Sequence, residues 1–169
     1  MSQTNEIEIM ERMALDLEGV EESLAASFNT GSEDFNVLIR PLSAAGGKRL
    51  RAQLCLIIAN AGQSIESERI KIAEAVEMLH LATLIHDDVL DQAKIRRGEE
   101  TIHMHKGNKV AILSGDYLFA KAFRIVSEMP SMKYLQVFSH IITCLVEGEF
   151  MQMEDVYRID QGIERYMTK

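Results

Sequence analysis

The sequence predicts an all-α protein, a bundle of antiparallel helices, on three observations. Only two prolines, Pro41 and Pro130, occur in 169 residues, and both sit between apolar-periodic stretches, as a chain of long helices requires. Glycines and helix-opening Ser or Asp residues divide the remainder into segments of helical length. The stretch from Ile72 to Ile85 is apolar nearly all round, which marks a helix for the centre of a bundle.

The elements follow in order. An acidic helix is expected from about Glu6 to Phe28, stopping at Gly31. Ser32, with Glu33 and Asp34 behind it, opens a second helix that ends at Gly46-Gly47. A third begins near Lys48 and stops around Gly62. Ser64, with Glu66 and Glu68, opens the long central helix toward Asp91. A basic loop carrying Gly98 and Gly107 comes next. Helices from about Asn108 to Glu128 and from Ser131 to about Tyr157 are divided at Pro130, and Asp160 is expected to cap a last one. No linker or repeat interrupts the series, so residues 1–169 read as part of one domain, and the chain is expected to be incomplete because it stops mid-helix at Lys169.

Charge narrows the function. A formal net charge of −8 gives general nucleic-acid binding little support. The positive charge gathers instead in two knots, Lys48-Arg49-Arg51 and Lys94-Arg96-Arg97, and such clusters on an acidic protein point to small anionic ligands. Two cysteines, Cys55 and Cys144, lie in apolar runs without metal-ligand spacing and are expected as buried thiols of a reducing cytosol. No signal peptide or membrane-length apolar run is found. The expected location is the cytoplasm.

The sharpest motif is His86-Asp87-Asp88-Val89-Leu90-Asp91 at the end of the central helix. On a helix Asp87 and Asp91 stand one turn apart, ~6 Å along the axis and on one face. Two carboxylates so placed suit Mg²⁺, which prefers one or two protein carboxylates plus phosphate oxygens and water. Context sharpens this. Arg96-Arg97-Gly98 follows the acidic motif and Gly46-Gly47-Lys48-Arg49-Leu50-Arg51 precedes it. Arginine forks match diphosphate oxygens, and glycine lets backbone approach an anion closely. A carboxylate cluster between two basic clusters is what a site for two metal-bridged diphosphates requires. His80 stands two turns before Asp87 on the same face.

These residues resemble the trans-isoprenyl diphosphate synthase family, specifically its medium- and long-chain members. Gly46 to Arg51 matches the GGKRxRP motif, with Ala52 in place of the usual proline. The run from Glu77 through Gly98 matches the first aspartate-rich region, and Ser114 to Leu118 and Glu147 to Gln152 match further segments. The resemblance covers essentially the whole chain. It implies an all-α bundle of the isoprenoid synthase type, here its N-terminal half, since the second aspartate-rich motif is missing. It implies Mg²⁺ on Asp87 and Asp91 with Asp88 in support, and an allylic diphosphate gripped by Arg96. Lys48, Arg51, His80 and Arg97 would hold isopentenyl diphosphate. Leu79, Ala82, Thr83, Glu149 and Gln152 are expected to line the cavity, and Asp116 and Arg49 to be structural or surface residues. The small Thr83 and Ala82, above Leu79 and Val76, would let a growing tail pass, hence a medium- or long-chain product. The fragment alone is expected to be inactive. The resemblance also implies a dimer, with itself or with a dissimilar small subunit, through the helices of residues 108–157.

Two rival readings remain. Glu77-Met78-Leu79-His80 and Glu100-Thr101-Ile102-His103 both fit the Glu-x-x-His spacing of di-iron carboxylate bundles, a motif that leaves the arginine clusters unused. A non-catalytic subunit that tunes product length is the other, although such a subunit has little need of an intact metal motif.

Overall fold

The computed structural model describes residues 3–44, 47–62 and 65–168. Its order is α1 (Gln3–Ser27), α2 (Glu33–Ala44), α3 (Leu50–Ala61), α4 (Glu66–Leu90), β1 (Ile95–Arg96), β2 (Glu99–Glu100), α5 (Ile102–Lys106), α6 (Asn108–Ser127), α7 (Met132–Glu154) and α8 (Ile163–Thr168). The chain divides into two units, Met1–Glu128 and Met129–Lys169.

In the first unit α4 is the centre, packing against α1, α3, α5 and α6. Ala73, Ala75, Met78, Ala82 and Ile85 of α4 are buried, as its all-round apolar sequence predicts. Polar straps fasten α1 to it. Arg69 of α4 donates to both carboxylate oxygens of Asp16, at 2.7 and 2.8 Å, and Asn60 of α3 adds a third bond at 3.0 Å. Burial pushes the Asp16 carboxyl up, but the bonds from Arg69 and Asn60, with the charges of Arg69 and Arg12, outweigh it and hold the group below its ordinary range. Higher on the same pair, Ser23 and Ser27 donate to the two oxygens of buried Glu74 at 2.6 and 2.7 Å. These bonds satisfy charges that helix burial would otherwise leave unpaired.

Helix α6 lies on α4 where a glycine permits it. A Cβ on Gly115 would run into the His86 ring, which also meets the Ile112 carbonyl at 3.2 Å and Asp116 at 3.5 Å. Glycine here serves close helix approach, and Asp116 stands at the surface beside the same ring.

In the second unit Ser131 caps α7, accepting from the Lys133 N–H at 3.3 Å. Arg165 of α8 donates to Asp155 at 2.9 Å and to Glu154 at 3.0 Å. Among the described residues no helix is long and apolar enough to cross a membrane.

Several expectations need correction. Pro41 lies inside α2, in its last turn, where the missing N–H removes one bond of the ladder. The basic loop contains the antiparallel hairpin β1–β2 and helix α5. Helix α3 starts at Leu50 because Arg49 is left-handed, φ 46° and ψ 38°. Helix α8 starts at Ile163, with the Gly162 carbonyl taking the Tyr166 N–H at 3.2 Å, and Asp160 stands two residues outside that turn. Cys144 is exposed on α7 and Cys55 half-buried; burial raises the Cys55 thiol above its ordinary value. Gly46 and Ser64 lie outside the described residues.

Candidate functional site

Helix α4 ends in carboxylates by a simple geometric route. Asp91 is its C-cap, and its N–H donates to the Asp87 carbonyl at 2.8 Å. Asp87 and Asp91 are therefore one turn apart, as the spacing requires. The last turn of α4 holds no basic residue, so these groups sit at the negative end of the helix dipole, where a cation is favoured. Asp88 has a different fate. It is 7% exposed, and Oδ1 accepts from Arg96 Nε at 2.7 Å.

The hairpin delivers both arginines. Arg97 at φ 53° and Gly98 at φ 89° form its two-residue turn, the pattern of a type I′ hairpin. Thr101 closes the base, its N–H on the Lys94 carbonyl at 3.1 Å and its hydroxyl on the Ala93 carbonyl at 2.7 Å. The Arg97 guanidinium lies over Gly47, where a Cβ would stand 3.3 Å from Nη1. The second basic knot thus approaches the glycine that precedes the first.

Arg51 on α3 reaches His80 on α4, Nη1 to Nε2 at 3.1 Å. A guanidinium can only donate, so His80 Nε2 is the acceptor and its proton sits on Nδ1. Burial lowers the His80 pKa below its ordinary value, and the charges of Arg51, Arg97 and Arg96 lower it further, while Glu77 opposes them. Lys48 is exposed beside this pair in sequence.

The remaining predicted residues fall in several places. Leu79 and Ala82 are buried, at 5% and 0% exposure, and Thr83 is half-buried with its hydroxyl on the His80 carbonyl at 2.8 Å. A cavity of about 1380 Å³ opens against Leu81, Leu84, Ile85 and Asp88 of α4, with Phe35 of α2 and Arg96 of the hairpin in its wall. Leu79, Ala82 and Thr83 belong to the other face of α4 and take no part in that wall. On α7, in the second unit, Gln152 donates to Glu149 at 2.8 Å, so the two pair with each other.

The Glu-x-x-His spacing offers Glu77 as a metal ligand, but its carboxylate is buried. It instead accepts the Ala52 N–H of α3 at 3.0 Å and faces Arg49 at 3.9 Å. Glu100 lies exposed on β2. In this geometry Glu77 is committed to a helix end and a guanidinium. Among the described residues no three His, Cys, Asp or Glu side chains gather as a metal cage. A two-carboxylate site that leaves its other positions to phosphate oxygens and water needs none.

Comparison with known proteins shows the family. The sequence profile of the Polyprenyl synthetase family matches residues 33–169. The chain belongs to the polyprenyl synthetase family. It is 33% identical to octaprenyl diphosphate synthase of Escherichia coli, over 94% of this chain and 49% of that protein. It is 37% identical to heptaprenyl diphosphate synthase component 2 of Geobacillus stearothermophilus, over 91% and 48%. Among solved structures, the polyprenyl synthase of Caulobacter crescentus, complexed with calcium and isoprenyl diphosphate, superposes with a TM-score of 0.88 at 32% identity, covering 95% of this chain and 49% of that one. The all-α fold is that of these synthases. The chain spans about half the length of the curated relatives it matches.

Proposed function

We propose that this chain is the N-terminal part of a prenyltransferase domain that joins isopentenyl diphosphate to an allylic diphosphate, making a medium- or long-chain all-trans polyprenyl diphosphate. The observation that carries the reading is the convergence of Arg51 on His80, on the helix that ends in Asp87 and Asp91, together with the Arg97 guanidinium over Gly47 just before α3.

Lys48, Arg51, His80 and Arg97 then hold the diphosphate of isopentenyl diphosphate, the guanidinium forks taking its oxygens pairwise. Neutral His80 presents an Nε2 acceptor to Arg51 and so orients that fork. Arg96, half-buried on Asp88, turns to the allylic diphosphate when that anion arrives, because a diphosphate offers more charge than one carboxylate. Asp87 and Asp91 are the residues that hold Mg²⁺, with Asp88 in support; the cation supplies charge neutralisation for the leaving diphosphate. The allylic C–O bond breaks, the isopentenyl double bond attacks the resulting cation, and a proton is lost to the departed diphosphate. The chain's contribution is placement and charge. Long product follows from the small, half-buried Thr83, one helical turn before Asp87, which leaves room for a tail beside the His80 face of α4, with the small Ala82 packed behind it.

An exposed apolar stripe on α3, Leu50, Leu54, Ile57 and Ile58 at 49–64% exposure, supports a larger domain that covers it. On this reading the 169-residue chain binds diphosphate without turnover. The same reading includes a dimer. The Geobacillus relative is called component 2 of its synthase, which favours a dissimilar partner subunit.

Titration calorimetry of the chain with inorganic pyrophosphate, with and without Mg²⁺, tests the proposal. Binding that strengthens with Mg²⁺, with that strengthening lost in Asp87→Ala, supports it. Absence of any pyrophosphate binding would falsify it.

A further inference from the structure

The first basic knot contains one arginine that does not face the diphosphate site. Arg49 is 7% exposed, with Nε at 2.6 Å and Nη2 at 3.0 Å from the two oxygens of Glu21 on α1. Nη1 faces the buried Glu77 carboxylate of α4 at 3.9 Å. The hydrogen bonds and charge of Glu21 and the charge of Glu77 together outweigh burial and raise the pKa of this guanidinium above its ordinary value.

Arg49 is also the N-cap of α3, in left-handed backbone and with no side-chain cap of its own. That conformation is uncommon for a residue with a long side chain. It survives only where its surroundings over-determine it. The surroundings here are three helices. Glu77 supplies the missing cap by accepting the Ala52 N–H at 3.0 Å, a task that the N-cap side chain itself usually performs. Glu77 lies one helical turn before His80, on the same side of α4. The start of α3 is therefore pinned to the α4 segment whose next turn meets Arg51.

We propose that Arg49, clamped between Glu21 and Glu77, is the positioning residue of the diphosphate-binding turn: it holds the left-handed bend that lets Arg51 reach His80 and lays Gly47 under Arg97. The inference rests on the proposed function for the identity of the ligand, and on the geometry alone for the clamp. Arg49 touches no substrate. It acts through the backbone of the residues on either side of it.

Arg49→Lys tests this, because lysine keeps the charge but cannot fork onto Glu21 while facing Glu77. Glu21→Gln is the milder second variant, removing one partner at the α1 surface. The charged groups acting on His80 are Arg51 from α3, Glu77 from α4, and Arg96 and Arg97 from the hairpin; neither variant substitutes any of them. In the 169-residue chain, ring-nitrogen NMR of His80 should show the pKa rising toward its ordinary value in both variants as Arg51 drifts away. Pyrophosphate affinity should fall about tenfold or more while far-UV circular dichroism stays native. If Arg49→Lys lowers thermal stability but leaves both the His80 titration and pyrophosphate affinity unchanged, Arg49 is a structural ion pair and the proposal is overturned. If the unaltered chain binds no pyrophosphate, the functional reading fails by itself, and the His80 titration still decides the clamp.

Discussion

Arg51 Nη1 donates to His80 Nε2 across 3.1 Å, joining the second residue of α3 to the middle of α4. Because the donor is a permanent cation, the bond exists only while the imidazole is neutral. Burial and the charge of Arg51 both hold the His80 pKa below its ordinary value. The unfolded chain, with His80 near about 6.5, therefore binds the proton first as pH falls. Stability contributed by neutral His80 is intact above that value and is lost as pH falls through the lower folded value. NMR titration should find the depressed pKa, and Arg51→Gln should move it upward.

The carboxylates of α4 should separate by role. Asp87→Ala and Asp91→Ala are expected to abolish the Mg²⁺-dependent part of pyrophosphate binding while leaving helical content unchanged. In a protein joining this chain to the second half that its relatives carry, each should cut turnover by orders of magnitude. Asp88→Ala should act differently, freeing Arg96, and equal effects from all three substitutions would contradict the division seen at 2.7 Å between Asp88 and Arg96.

Fold stability should depend on the Asp16–Arg69 pair, in which both side chains are more than nine-tenths buried. Arg69→Met leaves a buried carboxylate without its partner, a loss of roughly 3–5 kcal/mol. Asp16→Leu combined with Arg69→Met should recover most of it. Thermal unfolding of the three variants measures the difference, and a double variant no better than the single one would refute the account.

Gly115 is expected to tolerate no side chain. Gly115→Ala places a Cβ in the His86 ring and should cost about 1–3 kcal/mol through overpacking. Pairing it with His86→Ala removes the clash, so the double variant should be more stable than Gly115→Ala alone.

Product length should respond to Thr83 more cleanly than to Ala82. Thr83 is half-buried, so Thr83→Phe can project into a tail path and shorten the product of the joined protein. Ala82 is fully buried, and Ala82→Phe must first displace packed neighbours, losing stability as well. Unchanged product length in Thr83→Phe would show that the tail runs elsewhere.

Much of this molecule follows from local pattern. The all-round apolar run of α4 dictates a central helix, and the Asp87–Asp91 spacing dictates one face, because helical periodicity is a property of consecutive residues. The family, too, is carried by motifs that survive as strings. What the string could not sort is the fate of neighbours within a motif. Arg49 and Arg51 belong to one basic knot, yet one is buried against Glu21 and the other meets His80. Glu77 and His80 share a Glu-x-x-His pattern, yet the glutamate caps α3. The hairpin was equally hidden, since Arg97 and Gly98 become a turn only when Ile95 and Glu100 pair. Each of these outcomes depends on partners from another element, and Glu21 is 28 positions from Arg49. Residue type and spacing determined which charges this protein gathers in its two basic knots. Only the packing of α1, α3 and α4 decided which of them are buried in ion pairs and which meet His80, because burying a charge demands a partner and the nearest partner lies on a different helix.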